Sequence, residues 1–250
     1  MYLTTQGLVI RVCPYNDTNA MLTVLTAEHG RISAKVRGLR KKNSPLSAPC
    51  QLLAYGEFTF FEYKGNFTVN EAHSLELFAE LRRDLQKLSL GTYFAQVAEI
   101  ISQEDLPNPE LLSLTLNCLY ALSKLNISEA KVKAVFEFRC SCLAGYTPDL
   151  FSCRVCGNRT PEYFDISGGR LECSGCRSYD FPGIRMPVTS GMLDALRYIS
   201  ACDCKRLFSF DLPEDTLELL SSVTESYLSA QLERGFSALD FYKSLIFVPQ

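Results

Sequence analysis

The chain has 250 residues, 47% of them hydrophobic and 21% charged, with a formal net charge of −3. That composition can bury cores for two domains and a small insert. It offers no run approaching eighteen apolar residues, no charged leader with an apolar core, and an odd number of cysteines, eleven. A membrane protein and a secreted disulfide framework are therefore not expected. The small net charge hides an asymmetry: residues 1–74 carry eight Lys/Arg against five Asp/Glu, whereas residues 75–250 carry seventeen against twenty-three. The basic excess sits in the N-terminal third.

Residues 1–74 read as short strands. Residues 8–12 and 20–26 are apolar and β-branched, separated by the turn cluster Pro14, Tyr15, Asn16 and Asp17. In residues 31–37, Ile32, Ala34 and Val36 alternate with Arg31, Ser33, Lys35 and Arg37. Side chains alternate faces along a strand, so this one has an apolar face and a cationic face. The cationic face runs on into Gly38, Arg40, Lys41, Lys42 and Ser44. Between Arg31 and Lys42 there are six Lys/Arg and no acid. Residues 57–63 and 67–71 complete five strands, which fits a small closed or partly open barrel. A solvated strand edge would account for some of these cations, since Lys at an edge blocks aggregation. A basic face on a small barrel is also the electrostatic footprint of nucleic-acid binding, and Arg31, Lys35, Arg37, Arg40, Lys41 and Lys42 are the expected phosphate contacts. Phe58 and Phe60 share the face expected in the core. Phe61 and Tyr63 share the other, where they could stack on unpaired bases.

From residue 74 the period changes to that of helices, over 75–87, 93–101, 109–125, 128–143, 189–200 and 214–234. Between them, residues 147–187 form a Gly-containing, Cys-rich insert. There, Cys153-Arg-Val-Cys156 and Cys173-Ser-Gly-Cys176 stand sixteen residues apart, a spacing suited to a structural zinc site. Two tight turns can bring four thiolates into a tetrahedron with zinc–sulfur bonds of about 2.3 Å. Four protein ligands leave no open position, so one zinc bound here fixes a fold and hydrolyses nothing. The insert carries five Arg and five acids between residues 149 and 185, which points to a structural or protein-contact role. Vestigial knuckles and redox dithiols are the competing readings. A reducing cytoplasm suits such thiolates. Cys13, Cys50, Cys118, Cys140, Cys142, Cys202 and Cys204 read as small core residues.

Catalytic signatures are absent from the sequence. His29 lies in an expected turn and His73 near a strand end, neither in a metalloprotease or triad context. No P-loop, nucleophile elbow or dinucleotide fingerprint occurs. Gly168-Gly169 reads as a hairpin turn, and Glu104-Asp105 as a loop before Pro107 and Pro109. The expected architecture is α+β: an N-terminal OB-fold barrel over residues 1–74, then a helical domain over 75–250 with the four-cysteine knuckle inserted.

Along nearly its whole length the chain resembles the RecO family of bacterial DNA repair and recombination mediators. Residues 7–11 through Tyr15, residues 22–26, Glu28-His-Gly30, and Val36-Arg-Gly38 up to Lys42 and Ser44 are similar to that family's N-terminal OB-fold. Phe136-Glu-Phe138, Leu143-Ala-Gly-Tyr146, Pro148 and Cys153 through Gly157 resemble its helical core and first knuckle. Gly168-Gly169 with Cys173 through Cys176 resembles the second knuckle, and Lys243-Ser244-Leu245 the closing helix. Asn16, with Asp17 one place later, stands where the family often has an acid directly after the tyrosine. The resemblance implies binding of single- and double-stranded DNA, annealing of complementary strands, and location in the cytoplasm with the nucleoid. It also implies work with RecR and with the acidic C-terminal tail of single-strand-binding protein (SSB), and through them help for RecA in loading onto coated DNA. For the tail, cations near Lys131 and Lys133 or near Lys205 and Arg206 are the expected dock. A non-catalytic zinc-containing RNA-binding or scaffold adaptor remains the alternative.

Overall fold

Five antiparallel or parallel strand pairs close a barrel at the start of the chain: β1 (Tyr2–Pro14), β2 (Ala20–Thr26), β3 (Arg31–Val36), β4 (Tyr55–Tyr63) and β5 (Asn66–Glu76). The order around it is β1-β2-β3-β5-β4, returning to β1. The computed structural model describes residues 1–176 and 183–246. Alternation fills the barrel: Ile32, Ala34 and Val36 meet Leu22, Val24, Phe58, Phe60 and Val69 in one buried cluster. β1 departs from alternation, because Leu8, Val9 and Ile10 are all buried. Val9 joins the barrel core, while a helix packs on the outside of the same strand, and a strand covered on both faces reads as a continuous apolar run.

The helix expected over 75–87 is corrected. β5 continues to Glu76, with His73 opposite Glu57 and Ser74 opposite Gly56. Ladder bonds to β4 thus override a weak helical period. Phe78 then takes a left-handed conformation (φ 47°) before one 3-10 turn, Ala79–Arg83. The first α-helix, α1 (Leu85–Ile101), starts where the Asp84 carboxylate accepts the Gln86 and Lys87 N–H groups. α2 (Pro109–Lys124) is capped by Asn108 with Pro109 in its first turn. α3 (Glu129–Leu143) is capped by Ser128.

The chain forms two compact units, Met1–Asn126 with the chain from Phe236 onward, and Ile127–Gly235. The last barrel strand ends at Glu76, while the compact unit that holds it runs on to Asn126. α1 packs on β1, and α6 (Ser237–Ile246) packs on α1, so apolar faces of these helices are buried within the barrel's own unit. The second unit holds α3, a four-stranded sheet, α4 (Ser190–Ala201) and α5 (Glu214–Leu232). The sheet strands are β6 (Asp149–Cys153), β7 (Tyr163–Asp165), β8 (Arg170–Glu172) and β9 (Arg185–Pro187), in the order β6-β8-β7-β9. The β7–β8 hairpin turns through Gly168 and Gly169 as expected. Residues 177–182 of the expected insert, and 247–250, lie outside the described residues. The free cysteines divide: Cys50, Cys118 and Cys140 are buried, but Cys13, Cys142, Cys202 and Cys204 are only half-buried and are not core residues. Among the described residues no helix is long and apolar enough to cross a membrane.

Candidate nucleic-acid interface and metal centre

The cationic stretch is held in place by the β1–β2 turn. Asn16 folds that turn, its side-chain oxygen accepting the N–H groups of Thr18 and Asn19 at 3.1 and 2.8 Å. Asn19 in turn accepts the Gly38 N–H at 2.9 Å, and the Thr18 carbonyl accepts that of Arg40 at 3.1 Å. Gly38 sits at φ +66°, a conformation that costs glycine nothing. The loop after β3 is thereby fixed, with Arg37, Arg40, Lys41 and Lys42 exposed upon it. Arg37, Lys41 and Lys42 edge a groove of about 350 Å³ with Gly38, Asn43 and Ser44. Lys35 is half-buried, its ammonium 4.8 Å from the centre of the exposed Tyr15 ring.

Arg31 stands apart from these five. It is half-buried, and its guanidinium donates to the Glu99 carbonyl at 2.7 Å. Its backbone N–H is also taken, by the Gln103 carbonyl at 2.9 Å. Nearby Arg11 pairs with the Glu99 carboxylate at 2.9 Å, and Ser33 donates to Glu104 at 3.3 Å. The end of α1 and the loop after it thus strap acids against Arg11 of β1 and against Arg31 and Ser33 of β3. A stretch free of acids in sequence is not free of them in space. Gly30 makes the strap possible: a Cβ there would lie 2.2 Å from the Gln103 oxygen and 2.4 Å from that of Leu106. The alternation that reveals Arg31 gives no sign of Glu99 and Glu104, which arrive from about seventy residues further along the chain.

The aromatics separate as their alternation predicts. Phe58 and Phe60 are buried in the barrel, while Phe61 and Tyr63 face outward. Phe61 lies against Tyr2 of β1 with ring centres 5.4 Å apart, a partner no local pattern signals.

The second unit brings the four cysteines together. Cys153 ends β6, Cys173 follows β8, and the parallel β6–β8 pair aligns Cys153 with Leu171. The sulfurs of Cys153, Cys156, Cys173 and Cys176 all lie within 4.8 Å of one another, with Cys156 and Cys173 3.8 Å apart. Bonds of about 2.3 Å to a tetrahedral ion would set sulfurs roughly 3.8 Å apart, so the donor set fits a thiolate-bound metal. Burial pushes the Cys153 thiol up, but the N–H groups of Cys156, Val155 and Cys173 stabilise its thiolate and bring it to about 6. Hydrogen bonding to Cys156 and burial push Cys176 up to about 12. Such a cluster shares protons among close sulfurs until a cation offsets their repulsion. Gly157 at φ +73° and the Asn158 amide, 3.3 Å from the Cys173 sulfur, complete the first knuckle.

Two of the cations expected to receive an acidic tail are corrected. Lys133 is buried between Glu137 and Glu225, at 3.0 and 2.8 Å. Lys131 is buried too, donating to the Phe210 carbonyl and lying 3.3 Å from Asp211. α3 packs on α4 and α5, so its cations serve internal carboxylates and carbonyls. Lys205 and Arg206 are exposed on a short turn after α4.

The family model of the recombination protein O N terminal matches residues 1–78, and that of the recombination protein O C terminal matches residues 82–240. The chain is 34% identical over 246 residues to a DNA repair protein RecO from Acetivibrio thermocellus, covering 98% of this chain and 97% of the relative. It is 29% identical over 248 residues to the one from Alkaliphilus metalliredigens, covering 98% and 100%. With the one from Bacillus pumilus it shares 28% over 228 residues, 91% and 88% of the two chains.

Proposed function

The chain belongs to the recombination protein O family, and on that premise we propose that it is a non-catalytic DNA repair mediator. It binds single- and double-stranded DNA, anneals complementary strands and, with RecR, helps RecA load onto SSB-coated single strands. It acts in the cytoplasm, on the nucleoid. The observation that carries this reading is the fixed loop after β3, where Arg37, Arg40, Lys41 and Lys42 are exposed together beside Lys35. A loop whose backbone is already held presents its cations to phosphates without a further cost of backbone ordering, and phosphate contacts carry no base preference. Of the six expected contacts, Arg31 supports the strap and contributes least.

Annealing needs no nucleotide chemistry here. A basic surface lowers the repulsion between two polyanions, and a barrel can hold one strand with its bases free to pair. The four cysteines would hold one zinc, which supplies folding energy to the small sheet and no open coordination position. Lys205 and Arg206 are the remaining exposed cations expected to take SSB's acidic tail.

A fluorescence-quench annealing assay tests the reading. Complementary strands should anneal faster with the protein, without ATP, and should still do so when coated with intact SSB. Equal rates with tail-less SSB would remove the partner claim. No acceleration on bare strands, together with tighter binding of RNA than of DNA, would favour an RNA-binding adaptor instead.

A further inference from the structure

Four strands carry one continuous row of side chains around the outside of the barrel. Lys35 of β3 stands opposite Thr68 of β5, Thr68 opposite Phe61 of β4, and Phe61 opposite Tyr2 of β1. Residues directly opposed in a sheet share a face, and this face is the outer one, since Ala34, Val69 and Phe60 beside them are buried in the barrel. Tyr2 is 61% exposed and Phe61 40%, with Tyr63 beyond at 62%. At the cationic end Tyr15 backs the Lys35 ammonium. Neighbouring strands lie about 4.8 Å apart, so roughly 10 Å of sheet separates Lys35 from Phe61. A phosphate and the base of the next nucleotide can bridge that distance.

Carboxylates mark the other outer faces, and Glu62, Glu104 and Asp105 also edge the hollow that holds Tyr15, Lys35 and Thr68. Against β1 and β3, Glu99 at the end of α1 pairs with Arg11, and Glu104 of the loop after it accepts from Ser33. Along β4 and β5, away from Lys35, Glu57 and Glu71 occupy neighbouring positions. The row from Lys35 to Tyr2 is the path between them that starts on a cation and ends on open π-faces.

We infer that Tyr2 and Phe61 form a stacking platform for unpaired bases of a single strand whose phosphates lie along Lys35 and the loop after β3. The inference rests on the DNA-binding reading and adds the bases to it. It also sets direction: the strand crosses β5 and β4 and does not follow β2. A cross-strand aromatic pair can serve the sheet alone, and the two roles differ in what the ligand must contain.

The test compares an oligothymidylate with an abasic deoxyribose-phosphate oligomer of equal length, at equal salt, by fluorescence anisotropy. Base–aromatic stacking is worth enough per base to change affinity by roughly tenfold or more. The protein should bind oligothymidylate at least about tenfold tighter than the abasic oligomer. The double variant Tyr2→Leu, Phe61→Leu should lose that preference and bind the abasic oligomer as before. Tyr2→Phe with Phe61→Tyr, which keeps both π-faces, should retain it, and thermal melting of each variant reports on folding. Equal binding of the two oligomers by the unaltered protein overturns the platform and leaves DNA binding standing. Failure to bind either oligomer overturns both. Loss of both oligomers by the Leu variant, with its melting unchanged, also overturns the platform.

Discussion

The Arg11 guanidinium lies 2.9 Å from a carboxylate oxygen of Glu99, and this pair sets an acid at the end of α1 beside the cationic strand. With Glu104 reaching Ser33 from the loop that follows, carboxylates face a surface that sequence alone presents as purely basic. Exposed pairs of this kind contribute little to stability, about 0–1 kcal/mol. Their effect is on the field felt by a ligand. Glu99→Gln with Glu104→Gln should leave melting nearly unchanged and raise single-strand affinity roughly two- to fivefold at low salt, the gain fading as salt screens it. Filter binding across a salt series reads this directly; unchanged affinity at the lowest salt would show that these carboxylates do not shape the field felt by the ligand.

Gly30→Ala tests how the strap is held. Gly30 sits at φ +58°, and an added Cβ meets the Gln103 and Leu106 carbonyl oxygens. The conformation alone costs on the order of 1 kcal/mol or more in a non-glycine residue, and backbone cannot step aside as a side chain can. Thermal melting should fall by several degrees while the zinc content stays constant.

Lys133 offers a different kind of prediction, because Glu137 is fully buried with it. Removing it in Lys133→Met takes this cation from Glu137 and should cost about 3–5 kcal/mol near neutral pH. Burial raises the Glu137 carboxyl above its ordinary 4.5, and Lys133 opposes the rise. A carboxyl that holds its proton more tightly folded than unfolded contributes stability that is fully present below the ordinary value. That stability is lost as pH climbs through the raised one. Without Lys133 the rise grows, so the variant should be most stable in mild acid and weaken toward neutrality. Adding Glu137→Gln should flatten that dependence, as urea denaturation at several pH values would reveal.

The four-cysteine cluster should carry one zinc per chain. Structural zinc supplies on the order of 10–16 kcal/mol in isolated peptides, more than the short β6–β9 sheet could replace. Cys153→Ser or Cys176→Ser should lower zinc content, solubility and melting temperature, with DNA affinity falling only through lost folding. An unchanged fold with well under one zinc per chain, by metal analysis and circular dichroism, would contradict this.

Much of this molecule is legible in its sequence wherever a local rule decides the outcome. Alternation in Arg31 to Arg37 gives β3 and its cationic face, and Ser128 marks the start of α3 because a cap is a local bond. The paired knuckles give the four-cysteine cluster because two short turns bring two thiols each. What is missed depends on distant pairing. His73 and Ser74 stay in β5 because β4 holds them, and Tyr2 meets Phe61 through a register set across the barrel. Glu137, four residues after Lys133, is visible in sequence, but the burial of that pair and its second carboxylate, Glu225 on α5, come only from packing.

The central claim is that DNA is held by phosphate contacts on the loop after β3. Four cations there, Arg37, Arg40, Lys41 and Lys42, with Lys35 of β3 beside them, should give a slope of log affinity against log salt of about −3 to −4 on single strands. The decisive measurement is that slope in the unaltered protein and in Arg37→Ala, Arg40→Ala, Lys41→Ala combined. The account predicts weaker binding to every sequence alike and a slope flatter by about 2. Unaltered affinity and slope in the triple variant would contradict it and move the contact surface off the barrel.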